Sequence, residues 1–370
     1  MEKPIVQPES NNGSGSDTDE QVERLLRAYK VGRTIAVKWD VEVDRQAWAA
    51  PLRYSTMTHL RRSEREALCK NKIHCVRARE AVAALDFGSA CREVAIAEFL
   101  SAKAELSKEA RLLADSEILA VEATIEFRCR NYPQSRQKLL ANSIIDQTLE
   151  DEVGLSCLHA HRIHLLSKHV QLTSFAEGPI HALRIGANAI FYLHGGSLDF
   201  SAAGDWSQSR VHKLPLGIRR FLVRQLTVEV GAALLYANEE VRRTAVQEFC
   251  SIIPLKRFDP IVDPMSRYYL RALRLKGLPN HDVEHISAAA DLLNFGAHGA
   301  ETLWFMCALD AGQSCSRIDS DAARRLRQLA LEQASQHTPF PSDLRRRWLQ
   351  QCRDASQRAA PLLRDHCESK

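Results

Sequence analysis

Cys157, His161 and His164 stand at i, i+4 and i+7, which puts a thiol and two imidazoles on one face of a helix. Three such ligands suit zinc, which takes sulfur and nitrogen donors in a tetrahedral set. His159 and His169 flank them, but no fourth ligand is evident. His-x-x-His also arises in any helix that carries partly buried imidazoles. The chain is therefore read as having no metal or cofactor, with these three as the residues to check.

A second chemistry would use carboxylates. Asp146 and Asp151 lie in IIDQTLEDEV, and Asp259 and Asp263 in DPIVD. Two acidic helices facing across a cavity can hold Mg²⁺ against a diphosphate. However, Asp259 and Asp263 each precede a proline, which disfavours a continuing helix. The run around Glu150 falls where a hairpin should end, so solvated turn residues are the simpler expectation. Arg162 and His169 are residue types that a helical nuclease uses, but Ile163 occupies a position such sites keep polar. No phosphate-cradling Gly-rich loop, nucleophile elbow or His-Glu-x-x-His helix is present.

The elements that would position these residues are helices. The organising stretch is KIHCVRAREAVAALDFGSACREVAIA, from Lys72 to Ala97. It reads as two amphipathic segments around a break at Asp86, Phe87 and Gly88. Ala78, Phe87, Ala90, Val94 and Ala97 fall where two antiparallel helices would touch. Small residues there let the axes approach closely. Ser63 and Glu66 suggest a capping box upstream. Downstream, RRFLVRQLTVEVGAALLY is expected to pair with ANEEVRRTAVQEFCSII, whose cap would be Asn238.

Composition agrees with an all-α chain. Of 370 residues, 45% are hydrophobic, 26% charged and only 6% aromatic. The formal net charge of +4 is too small to imply nucleic acid without a concentrated basic face. The Arg clusters at 219–224, 242–243, 324–327 and 345–347 each alternate with apolar residues, as solvent-facing stripes do. The ten cysteines include no Cys-x-x-Cys pair, and residues 1–20 do not read as a secretion signal. Free thiols in a cytoplasmic protein are expected, and a nuclear one would look the same. No stretch is apolar enough for a membrane span.

Through Ala78, Phe87, Ala90, Val94 and Ala97 the chain resembles the second half of a tetratricopeptide repeat. A second unit matches through Ala123, Tyr132 and Leu139, but has Ser135 and Asn142 where alanine is usual. A third matches through Phe175, Gly178, Ala182 and Ile185. The aromatic positions 87, 132 and 175 recur 45 and 43 residues apart. The family period is about 34, so these units are longer. The resemblance implies a right-handed α-solenoid of about five or six helical hairpins, with first helices lining a groove. It places Arg79, Thr124, Arg128 and Ser167 on that groove.

The expected organisation is a disordered tail (1–18), an N-terminal helical cap (19–55), a helical-repeat lobe (56–194), an irregular loop or joint (195–216) and a second lobe (217–370). Function is expected to be protein or peptide binding by an adaptor. One alternative is a regulator with a ligand-sensing helical array and a DNA-touching N-terminal segment. Another is an all-helical enzyme with a helix-lined cavity.

Overall fold

The computed structural model describes residues 60–198, 204–234, 237–253 and 264–276, together with 284 and 287–291. The expected tail and N-terminal cap, Asp259, Asp263 and the closing helices lie outside the described residues. Among the described residues the structure is helical, without strands. The helices are α1 (Arg62–Ala83), α2 (Phe87–Lys103), α3 (Lys108–Arg128), α4 (Tyr132–Glu152), α5 (Leu158–Ala176), α6 (Pro179–Leu193), α7 (Gln208–Lys213), α8 (Leu216–Leu234), α9 (Glu239–Ile252) and α10 (Pro264–Lys276).

The chain divides into two compact units: Asp40–Ser266, and Met1–Trp39 with Arg267–Lys370. The irregular segment 195–216 lies inside the first unit, which continues on both sides of it. In the second unit, Arg271 of α10 lies 3.7 Å from Asp291.

Within the first unit, α1 pairs with α2, α3 with α4 and α5 with α6. The first pair joins the second mainly through α1 and α3, and the second joins the third through α4 and α5. α8 packs on both α5 and α6. α9 packs chiefly on α6, where Arg184 bonds Glu248 at 2.7 Å, rather than pairing with α8 as its sequence position suggests.

Each helix boundary has a local cause. Leu85 takes φ 63° and ends α1, and Asp86 then caps α2 by accepting from the Ser89 amide. α1 begins at Arg62, so Ser63 is inside the helix and the expected capping box shifts two residues upstream. Glu64 accepts from the Arg61 amide and guanidinium, and from the Ser107 amide at 2.7 Å. One carboxylate thereby ties the start of α1 to the start of α3. The Arg61 bond, helped by Ser107, holds that carboxyl well below the usual range. Asn238 caps α9 as expected.

The core of the first pair is the alanine seam read from the sequence. Cys75, Ala78, Val82, Ala90, Val94 and Ala97 bury together, with Ile118, Val121 and Ile125 of α3 behind them and Phe87 at the edge. Polar groups lock the seam. Asn71 donates to Ala97 O and to Ser101 Oγ at 2.7 Å. In the second pair Ser116 and Asn142 bond reciprocally, at 2.8 and 3.0 Å. Ser135 donates to Ala123 O at 2.8 Å. The two departures from alanine, Ser135 and Asn142, are thus buried with their hydrogen bonds satisfied. Gly186 brings α6 against α8: a Cβ there would meet Val230 Cγ2 at 2.4 Å.

Filling the seam should destabilise the fold. Ala78 is fully buried, so Ala78→Leu is expected to cost about 1–3 kcal/mol by overpacking. Urea unfolding followed by circular dichroism checks this, with the midpoint falling at an unchanged slope.

Candidate functional site

α1, α3, α5 and α8 together present one row of polar side chains. Lys72 and Arg79, two turns apart on α1, both bond Glu117 of α3, at 2.7 and 2.9 Å. His161 of α5 follows, its Nδ1 2.6 Å from Asp146 Oδ2 of α4. Its ring stacks on His164, with centroids 5.9 Å apart. His164 Nδ1 lies 2.9 Å from Gln225 Oε1 of α8, where it must be the donor. Lys168, one turn beyond His164, acts electrostatically on both His164 and Glu229 of α8.

These groups are desolvated yet open to water. Glu117 keeps 33% of its side-chain surface exposed and His161 keeps 21%. Nevertheless burial is the largest influence on the protonation of Glu117, His161, His164 and Glu229. This row of half-buried side chains on four helices is called the recess below.

The recess carries a positive field. Burial pushes the Glu117 carboxyl up, but Lys72 and Arg79 outweigh it and hold it at about 2. Burial, then the charges of Lys168, His161 and Arg79, push the His164 imidazole down to about 3 against the Gln225 bond. Burial also opposes the charge on His161, but Asp146 overcomes it and raises its pKa above the usual imidazole value. The two stacked imidazoles thus shift oppositely, His161 raised by Asp146 and His164 lowered by burial and the neighbouring cations.

The sequence-derived groove residues fare differently. Arg79 is in the recess. Thr124 and Arg128 follow Glu117 at i+7 and i+11 on α3, and both are exposed. Thr124 spends its hydroxyl on Ala120 O at 2.9 Å. Ser167 corrects the expectation: it is fully buried, and its hydroxyl bonds His164 O at 2.7 Å. Nor are Cys157, His161 and His164 gathered as ligands. Cys157 packs against Leu149, Leu155 and Leu158, while the imidazoles bond Asp146 and Gln225. No group of three or more His, Cys, Asp or Glu that could hold a metal ion occurs among the described residues. Lys72, Glu117, Lys168, Gln225 and Glu229 were not singled out from the sequence. The spacing of Lys72 with Arg79, and of His161 with Lys168, is the signal that could have found them.

A second polar cluster lies one turn along α4. Glu150 Oε2 is 3.2 Å from Arg162 Nη1, and its Oε1 is 2.8 Å from Arg210 Nη1. Arg210 of α7 also bonds Asp151 at 2.6 Å and Asp205 at 2.9 Å. The Arg162 guanidinium, wholly buried, lies 4.3 Å over the Trp206 ring and donates to Asp205 O. Tyr192 donates to Ser207 O at 3.1 Å, so His159 Nε2, 2.8 Å away, must donate to the Tyr192 hydroxyl. Gly204, at φ 115°, makes this approach possible, because a Cβ there would meet Arg162 Nη2 at 2.2 Å. Of the acidic run expected to be solvated turn, Asp146 and Glu150 are instead buried, while Asp151 is exposed. Glu150, Arg162 and Tyr192 strap residues 204–213 onto α4, α5 and α6. The carboxylates of the strap, Glu150, Asp151 and Asp205, are each paired with an arginine, so we assign it a structural role.

Two outcomes test these assignments. Trp206→Ala should cost about 3–5 kcal/mol and speed proteolysis within 204–213, measured by urea unfolding and limited digestion. Asp146→Asn should leave burial dominant and drop the His161 pKa below the usual imidazole value, and cost about 1–3 kcal/mol. Because folding raises the His161 pKa, its contribution is complete below pH ~6.5 and fades as pH rises through the folded value. The gap between wild type and Asp146→Asn should therefore be widest in acid. NMR titration of the imidazoles and urea unfolding against pH measure both.

No family model matches this chain, and neither does any curated protein or solved structure.

Proposed function

We propose that this chain is a protein-interaction module. It is a helical-repeat array of the right-handed solenoid kind, and its recess on α1, α3, α5 and α8 receives a peptide or partner segment. The observation that carries this reading is the continuity of the polar row. Four helices from different parts of the sequence contribute half-buried, water-accessible side chains to one surface.

Physical arguments favour binding over chemistry. The recess wall is held by buried hydrogen bonds behind it, with Ser116, Asn142 and Asp146 joined beneath His161. A prebuilt surface loses little freedom on binding, so more of its contact energy appears as affinity. Behind the carboxylate–imidazole pair of Asp146 and His161, the Ser116 hydroxyl is committed to Asn142 and Asp146 in a buried network, which suits a positioning role for that hydroxyl. No helix among the described residues is long and apolar enough to cross a membrane.

Peptide display against the full chain, followed by hydrogen–deuterium exchange with recovered peptides, tests the reading. Protection is expected at residues 72–79, 117, 161–168 and 225–229. Recovery of no binding peptide, or protection confined to other surfaces, would reject it.

A further inference from the structure

The charges in the recess define the chemistry of its occupant. Lys72, Arg79 and Lys168 are permanent cations. Lys72 and Arg79 share a single carboxylate, Glu117, at 2.7 and 2.9 Å. Lys168 forms no ion pair among the described residues, although its charge acts on His164 and Glu229. The charge that His161 gains is answered from behind by Asp146, which is wholly buried and offers nothing to a ligand. The remaining acid, Glu229, is pushed by burial toward its neutral form, with Lys168 opposing. Cations therefore outnumber the carboxylates that face them.

Geometry makes this excess usable. Arg79 reaches Glu117 with one terminal nitrogen, Nη2, leaving the rest of its planar fork for a second acceptor. Arg79 and Lys168 sit on different first helices, α1 and α5. The charge of Arg79 reaches both His161 and His164, so the two helices share one field. A low-dielectric wall concentrates such a field and favours a ligand of opposite sign. Gln225 and His164, bonded to each other, form the neutral polar floor between the cations.

We infer that the recess takes an acidic peptide segment, with one side-chain carboxylate on the part of the Arg79 guanidinium that Glu117 leaves unused and another at Lys168. This rests on the interaction reading above and names its partner class. Acidic side chains suit the site because they bring paired acceptors to a guanidinium and a point charge to an ammonium. A basic segment would face three cations with only Glu117 and Glu229 in return.

The test uses the full chain and fluorescence anisotropy. The probes are a labelled peptide of alternating Glu and Ser, its Lys and Ser counterpart, and a single-stranded oligonucleotide as a non-peptide polyanion. The acidic peptide should bind, and should weaken as salt rises. Lys168→Glu and Arg79→Glu should each reduce its affinity by about tenfold or more. Glu229→Gln should instead tighten binding several-fold, a gain that misfolding cannot produce. Equal or tighter binding of the basic peptide, an unchanged Lys168→Glu, or tighter binding of the oligonucleotide would overturn the inference. If display still recovers peptides that protect the recess, the interaction reading survives that failure. If no peptide of either charge binds and display recovers none, both fall.

Discussion

Two carboxylates one helical turn apart on α4, Asp146 and Glu150, are buried, and a buried anion must find a partner or lose its charge. The rest of the first unit is arranged around that requirement. Asp146 is met by His161, while Glu150 is met by Arg162 and Arg210. His161 and Arg162 are neighbours on α5, so α4 and α5 are zipped by charge. Arg210 arrives from α7, on a separate stretch of chain, and brings Asp205, Trp206 and Ser207 with it. Buried ion pairs add little net stability against an apolar alternative, but breaking one is costly. Their contribution here is geometric, because they permit one register between the second and third helix pairs.

The first and second pairs are joined by a different device. There the packing is apolar and alanine-rich; Asn71 with Ser101 sets the register inside the first pair, and Glu64 with Ser107 ties that pair to the second. An alanine seam alone would tolerate sliding, since its surface is nearly featureless. One buried amide with a specific acceptor removes that freedom. The same reasoning explains Ser135 and Asn142. They depart from an alanine pattern, yet each replaces lost packing with a directional bond across the pair.

This difference decides what could be read in the sequence. The first pair was legible because small apolar residues at helical spacing have one common meaning. The break at Asp86 and the cap at Asn238 were legible because those side chains act on their own backbone. Pairing across long connections was not. α9 chooses α6 over its neighbour α8, and nothing local in either helix announces that choice. The acidic run at Asp146 and Glu150 was misread as solvated for the same reason: its cations lie up to 60 residues away. Ser167 was placed by analogy of spacing, but α5 is buried on more of its circumference than a two-sided helix, so that position faces inward.

The recess inherits its character from both devices. α5 is buried on most of its surface, and the side chains it leaves to water are few. His161, His164 and Lys168 are three of them, and all are basic in type. Asp146 neutralises the first from behind, so it fixes the ring without placing negative charge in the opening. Burial first, and then the surrounding cations, push the His164 imidazole down to about 3. A neutral imidazole between two fixed cations is a surface that has not satisfied its own field. Proteins that need only stability place acids beside such cations, as this chain does at Glu117 and again at Asp205 beside Arg210. Lys168 has Glu229 within electrostatic reach but forms no ion pair among the described residues, which leaves its charge for an arriving carboxylate.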